Sequence, residues 1–334
     1  MASVSFLVKR ALRMDWKTMW KTAGMLSEKT GKSRLWLMRD MAECARRYGA
    51  GYVDYKIAEM YRLTPAQRAT VITRGTSNSI VARMNDKAYW HFFDNKCEFN
   101  TLFAPQVKRR WLDLTKADEA GFAAFLKGMG DIICKPVDGS SGQGIEKHTP
   151  EEYGDPAALY RQLKEKGIGI VEERVKQHPK IDALCPTSVN TIRVATLLGD
   201  KKEGIVYAAI RIGNGKVMDN VDCGGMAAPI DLETGVIRGP GADKQGHVYE
   251  KHPMTGHAIP GTAIPYWEEV KSMCLAAMHV VPQVRFVAWD VAITPEGPLF
   301  IEGNSFPSHA IPQFAAHYPD GVGILPRFRE FIDV

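Results

Sequence analysis

From Phe286 to Asn304 the chain alternates on a two-residue period: Val287, Trp289, Val291 and Ile293, then Leu299 and Ile301, with Thr294-Pro-Glu-Gly297 between the runs. This predicts two strands joined by a turn. Taking Pro295-Glu296-Gly297 as a three-residue loop with Gly297 left-handed, Thr294 pairs with Pro298 and Asp290 faces Glu302. Side chains two apart share a face, so Asn304 joins the two acids while large aliphatic residues line the other side. Further strands are expected at Ile132–Lys135, Gly167–Val175, Thr191–Leu198 and Gly204–Ile212, the last two carrying Arg193 and Arg211. Helical spacing covers residues 1 to about 80, where Trp16, Met19 and Trp20, then Leu35, Trp36, Met38, Met41 and Ala42, recur at three and four. More helices are expected from Lys87 to Asn95, capped by Asp86, and over 156–166 and 266–280. Residues 242–258 lack periodicity and read as a mobile or ligand-shaped surface.

Composition narrows the classes. The 334 residues are 45% hydrophobic and 24% charged, enough for a full globular core. Six cysteines at 44, 97, 134, 185, 223 and 274 show neither a CxxC nor metal-ligand spacing, which points to a reducing cytoplasm. No run approaches the roughly 18 apolar residues of a membrane span. The net charge is +5, yet residues 1–50 carry eleven Lys and Arg against four Asp and Glu, so the remainder is slightly acidic. The basic, aromatic N-terminal helices suit either a solvated face over a core or contact with an anionic membrane or assembly partner. No nucleic-acid reader motif accompanies the charge.

Three stretches carry candidate chemistry. Directly opposed acids repel, so the Asp290–Glu302 register implies a positive group between them. Two carboxylates with the Asn304 amide oxygen are hard ligands that suit magnesium or manganese. An exposed hairpin with its polar face in water has the same pattern. Upstream, Lys135 sits on a strand between Ile133 and Val137, and a partly buried ammonium there needs an anionic partner such as phosphate. The loop after it, Gly139-Ser-Ser-Gly-Gln-Gly144, lets several N–H groups approach an anion. It lacks the Lys-Ser/Thr of a P-loop, and GxxGxG is not the Rossmann GxGxxG. Glu172 and Glu173 end a strand whose exposed backbone can meet a purine edge.

In this order, Asp86-Lys87, Lys135 to Gly144, Val171-Glu-Glu173, Asp290 and Glu302-Gly-Asn304 resemble the ATP-grasp superfamily across about residues 84–310. Gln177-His-Pro179, Ser188-Val-Asn-Thr-Ile-Arg193, Asp219-Asn220, Gly224-Gly225 and Ile301-Glu-Gly-Asn-Ser-Phe-Pro307 look like its sugar-transfer-associated branch, related to α-L-glutamate ligases. The resemblance implies an α+β fold in which two subdomains grip ATP between two sheets. A helical region, 1–83, precedes the grasp domain, 84–334, itself divided into 84–175 with the lid and 176–334 with the metal site.

Carried over residue by residue, Lys87 and Lys135 hold the α- and β-phosphates, and Ser140, Ser141 and Gly142 close over the β/γ end. Glu172, Glu173, Arg174 and Val175 meet the adenine. Asp290, Glu302 and Asn304 hold two magnesium ions. The family's ribose-binding acid is replaced by the insertion 176–186, with His178 and Asn190 as candidates. Arg193 and Arg211 would neutralise transition-state charge in an ATP-dependent carboxylate–amine ligase that works through an acylphosphate. Surface-glycan or natural-product biosynthesis is the implied setting. A kinase acting on a hydroxyl, or a nucleotide-stabilised binding module, would use the same grip.

Overall fold

The computed structural model describes residues 15–139, 144–216 and 219–334. Near the N-terminus, Asp15 caps helix α1 (Trp16–Thr30) by accepting the Thr18 N–H at 2.9 Å, and Gly31, at φ 71°, ends it. Ser33 caps α2 (Arg34–Tyr48) in the same way, and α3 (Tyr52–Ile57) follows. The expected stripe divides. Met19 and Met41 are buried with Ala23, Leu26, Leu37, Cys44 and Tyr55, whereas Trp16, Trp20, Leu35 and Trp36 are 49%, 46%, 74% and 42% exposed. Lys32 and Arg34 lie over the Trp36 and Trp20 rings instead.

The helical region is tied to the rest of the chain by buried polar contacts. His309 Nε2 lies 2.7 Å from the buried Asp54, whose carboxylate also accepts the Gly51 and Arg74 N–H groups. Gln313 reads both backbone groups of Ile72. The loop following the last strand is thereby fixed to the N-terminal helices. Helix α4 (Arg74–Met84) leads into the grasp region.

The expected helix from Lys87 to Asn95 is a 3-10 turn, Lys87–Tyr89, and a single helical turn, His91–Asp94. Asn95 breaks it because its side chain accepts the Cys97 and Glu98 N–H groups at 3.1 and 3.0 Å, capping a new helix, α5 (Lys96–Leu102).

Two antiparallel sheets follow. The smaller one has strand order β1 (Trp111–Asp113), β4 (Ile170–Glu173), β2 (Ile132–Lys135), β3 (Glu146–His148). Helices α6 (Glu119–Leu126) and α7 (Pro156–Glu165) cover its back, where Phe122, Leu126, Leu159 and Leu163 pack on Ile132, Cys134 and Val171. The larger sheet runs β11 (Gly297–Asn304), β10 (Phe286–Thr294), β5 (Ile192–Leu198), β6 (Glu203–Ile212), β7 (Met226–Pro229), β8 (Gly241–Ala242), β9 (Val248–Tyr249). Trp289 and Phe300 stack at 4.8 Å beneath Phe93 and Phe103, and helix α8 (Trp267–Ala277) packs into the same core.

The 242–258 stretch is mostly exposed, as expected of a surface segment, but it is held by specific contacts. Val248–Tyr249 form the edge strand β9, Asp243 and His252 are buried, and His252 Nε2 lies 2.8 Å from the Gly213 carbonyl. These buried polar side chains leave no hydrophobic period to read.

The hairpin reaches the expected register at the acids by another route. Thr294 pairs with Gly297, not Pro298, which leaves Pro295-Glu296 as the turn and runs Val291 against Phe300. A shift between Val291 and Asp290 then restores Asp290 opposite Glu302 and Ala288 opposite Asn304. The extra residue of this bulge is Ile301.

Candidate active site

Between the sheets lie two adjoining cavities of about 170 and about 430 Å³. Lys135, Glu172, Glu173, Arg174 and Val175 border the first with Asp290; Arg193 and Asn304 border the second; Arg211 and Glu302 border both. The structure thus brings ten of the expected site residues to one cleft. Ser140, Ser141 and Gly142 lie outside the described residues.

Three expectations are not met in place. Lys87 is exposed, lies over the Trp90 ring at 5.6 Å and borders neither cavity. His178 caps a short helix by accepting the Lys180 N–H at 3.2 Å and sits edge-on to Tyr266. Asn190 is fully buried, and its amide donates to the Ile181 and Cys185 carbonyls while its Oδ1 accepts the Gly213 N–H. Neither ribose candidate faces the cleft; Thr187, Ser188 and Val189 border it instead.

Lys96, not Lys87, is the lysine of this segment that borders the cleft. At the first turn of α5 it borders both cavities, and its ammonium donates to the Val137 and Gly139 carbonyls at 3.2 and 3.0 Å. Burial and the nearby Lys135 depress its pKa, the signature of an ammonium that gains from an added anion. Sequence reading missed it because the break at Asn95 depends on a side-chain cap.

On the small sheet, Ile133 pairs with Glu172 and Lys135 with Ile170, which sets Lys135 beside Glu172 on one face. The buried ammonium has a protein partner, Glu172 Oε2, at 2.6 Å, not phosphate alone. Arg109 and Asn100 hold the other oxygen at 2.7 and 2.8 Å. Burial works to raise the Glu172 pKa, but the Arg109 and Lys135 charges outweigh it and bring it to about 2. Arg109 also donates to the Phe300 and Ile301 carbonyls, bolting this carboxylate to the hairpin of the larger sheet. At the hinge, the Glu173 and Arg174 N–H groups are already bound to the Arg110 and Asp131 carbonyls.

On the large sheet, β5 lies between β10 and β6, so Arg193 stands directly opposite Asp290. Arg193 grips Asp290 with two bonds of 2.8 and 2.7 Å, and Arg211 adds a third at 2.7 Å. Arg211 reaches on to Asp219 at 2.5 Å, and Asp219 accepts from both Thr191 donors. The positive group implied by the opposed acids is therefore supplied to Asp290 by arginine. Burial opposes ionisation of Asp290, yet Arg193 and Arg211 hold its pKa below the usual range.

Glu302 differs. It is hydrogen-bonded to Asp290, and burial followed by the Asp290 charge raises its pKa. No Lys or Arg pairs with it among the described residues. A carboxylate offers about four acceptor positions, and three of those on Asp290 are taken by N–H groups. The fourth meets Glu302. Asn304 uses its amide N–H on the Ala288 carbonyl at 3.2 Å, which leaves its oxygen as a donor to a cation. Exchanging the Asp290–Glu302 hydrogen bond for a divalent ion would relieve the charge that raises Glu302, so this donor set fits magnesium.

Residues 156–331 match the family model described as sugar-transfer associated ATP-grasp. Among solved structures, the ATP-grasp ligase PsnB with a phosphomimetic precursor variant, Mg and ADP is 14% identical, with 77% of this chain and 68% of that chain covered at a TM-score of 0.44. The D-alanine–D-alanine ligase of Bacillus anthracis is 13% identical over 77% and 73%, with a TM-score of 0.44. The ligase of that activity from Coxiella burnetii is 13% identical at 0.42, over 72% of this chain, which spans 57% of the length of the Coxiella protein. No curated protein matches. By the match over more than half its length, the chain belongs to the sugar-transfer associated ATP-grasp family.

Proposed function

We propose that the protein is an ATP-dependent ligase that joins a carboxylate to an amine and works with magnesium. The observation that supports this best is the division of charge across the cleft. The small-sheet side of the cleft presents Lys135, Arg109, Lys96 and Arg174 against Glu172 and Glu173, and the hairpin wall presents a half-buried carboxyl, Glu302, with no Lys or Arg ion-pair partner among the described residues. A polyphosphate carrying a divalent cation complements both walls at once.

In this reading Lys135 and Lys96 bind phosphate oxygens, and Glu172 fixes the position of Lys135. Asp290, Glu302 and Asn304 would hold magnesium, which supplies charge neutralisation at the transferring phosphoryl group. The substrate carboxylate oxygen attacks the γ-phosphorus, the bond to the β-bridging oxygen breaks, and ADP leaves. The amine then attacks the acyl carbon, loses a proton and expels phosphate.

Arg211 and Arg193 border the space where these charges develop and act as fixed positive charge in a largely water-excluded site. Arg211 is kept charged because Asp219 and Asp290 outweigh its burial. The two arginines therefore have a double role, holding Asp290 and facing substrate.

Surface-glycan or natural-product biosynthesis is the proposed setting, in line with the family's description. The test is an ADP-release screen of amino acids and acidic sugars, offered singly and in pairs. Release of ADP with free phosphate only when acid and amine are both present supports the ligase. ADP without free phosphate on a hydroxyl compound would replace it with a kinase.

A further inference from the structure

A separate cavity of about 570 Å³ lies between the N-terminal helices and the 242–248 and 313–323 segments, outside the cleft described above. Its apolar lining includes Met25, Ile57 and Phe314, and its charged lining is Lys29, Lys56, Arg62 and Lys244 with the acids Glu59, Asp243 and Asp320. Two of these lysines are paired: Lys29 with Glu59 at 2.7 Å, and Lys244 with Asp222. The nearby Asp243 is already satisfied by the Gln245, Gly246 and His247 N–H groups, by His247 Nδ1 at 2.8 Å and by the Tyr249 hydroxyl.

Lys56 is half-buried and, among the described residues, pairs with no carboxylate. Burial lowers its pKa, Asp243 raises it, and Lys244 and Lys29 lower it further. A partly desolvated ammonium flanked by two others is stabilised by an anion. The cavity is also not isolated, since Lys244 borders the catalytic cleft as well, with Asp222 on the cleft side.

We propose that this cavity is a binding site for an anionic small molecule with an apolar body, its carboxylate or phosphate group held by Lys56 and its body against Met25, Ile57 and Phe314. A ligand there touches the lysine that separates it from the nucleotide cleft, so occupancy and cleft chemistry share one residue.

The experiment uses the full chain with three probes, phenyl phosphate, phenylacetate and the unreactive cation benzyltrimethylammonium, followed by calorimetry and by protection of Lys56 from acetic anhydride, read by mass spectrometry. The proposal expects at least one of the two anions to bind and protect Lys56, and benzyltrimethylammonium to do neither; the stronger of the two anions tells phosphate from carboxylate. Lys56→Met should weaken that anion about tenfold or more, about 1.4 kcal/mol, with Lys56→Arg restoring most of it and Lys17→Met leaving it unchanged. Unaltered ADP–magnesium affinity in Lys56→Met shows that the variant is folded. Equal anion affinity in wild type and Lys56→Met, or no protection of Lys56 by either anion, overturns the proposal. Because ADP–magnesium binding is measured separately, failure here leaves the ligase reading standing, and loss of nucleotide binding would leave the anion site standing.

Discussion

The two walls of the cleft solve the same problem, a buried carboxylate, in opposite ways. On the small sheet, Glu172 has three donors from three residues and its pKa falls to about 2. On the hairpin, two arginines are spent on Asp290, and its neighbour Glu302 is left with a raised pKa. The first network is complete and carries surplus positive charge; the second is incomplete and calls for a cation. A site built only for stability would distribute its arginines evenly, because an unpaired, half-buried acid costs free energy. In the proposed reading, a metal-bearing anion corrects this imbalance.

The comparison breaks most visibly at Asp290. Asp290→Asn leaves two buried guanidinium groups short of a counter-charge and removes a metal donor. Turnover should drop beyond detection, and urea unfolding should show a loss of about 3–5 kcal/mol. Arg211→Met should cost about 10²–10³ in turnover, and Arg211→Lys should not restore it, because one ammonium cannot bridge Asp219 and Asp290.

Glu172 supplies the pH test. Its folded pKa lies below its ordinary value, so it adds stability above about pH 4.5 that is lost as pH falls through that range toward 2. The shift corresponds to on the order of 3 kcal/mol. Glu172→Gln should therefore lower stability at pH 7 by that order and flatten its fall between pH 5 and pH 2, measured by urea unfolding. The smallest effects separate two lysines. Lys96→Met should raise the KM for ATP about tenfold, whereas Lys87→Met should leave it unchanged.

How much of this was legible in the sequence follows from the range of each interaction. The Asp290–Glu302–Asn304 face could be read because strand period and turn are local, and a two-residue turn with a bulge arrives at the register expected of a three-residue loop. Strands β5 and β6 were legible for the same reason, as was the placement of Arg193 and Arg211 on them. What those arginines hold was not, since it depends on which strands become neighbours: β5 pairs with β10 some 90 residues away. Lys135 was read as needing an anion, but Glu172 could not be named as its partner without the register of β2 against β4. Arg109, in a basic triplet before β1, gave no local signal at all, because its three acceptors come from β4 and β11. Tryptophans at helical spacing misled for a different reason: spacing gives a face, not which face is covered.

The most direct measurement is the magnesium dependence of ADP affinity in wild type and Glu302→Gln, by titration calorimetry. The account predicts that magnesium tightens ADP binding by about tenfold or more in wild type, equivalent to about 1.4 kcal/mol. In Glu302→Gln the metal-free affinity should be preserved and the magnesium enhancement lost. An equal enhancement in both proteins, or no enhancement in wild type, would contradict it.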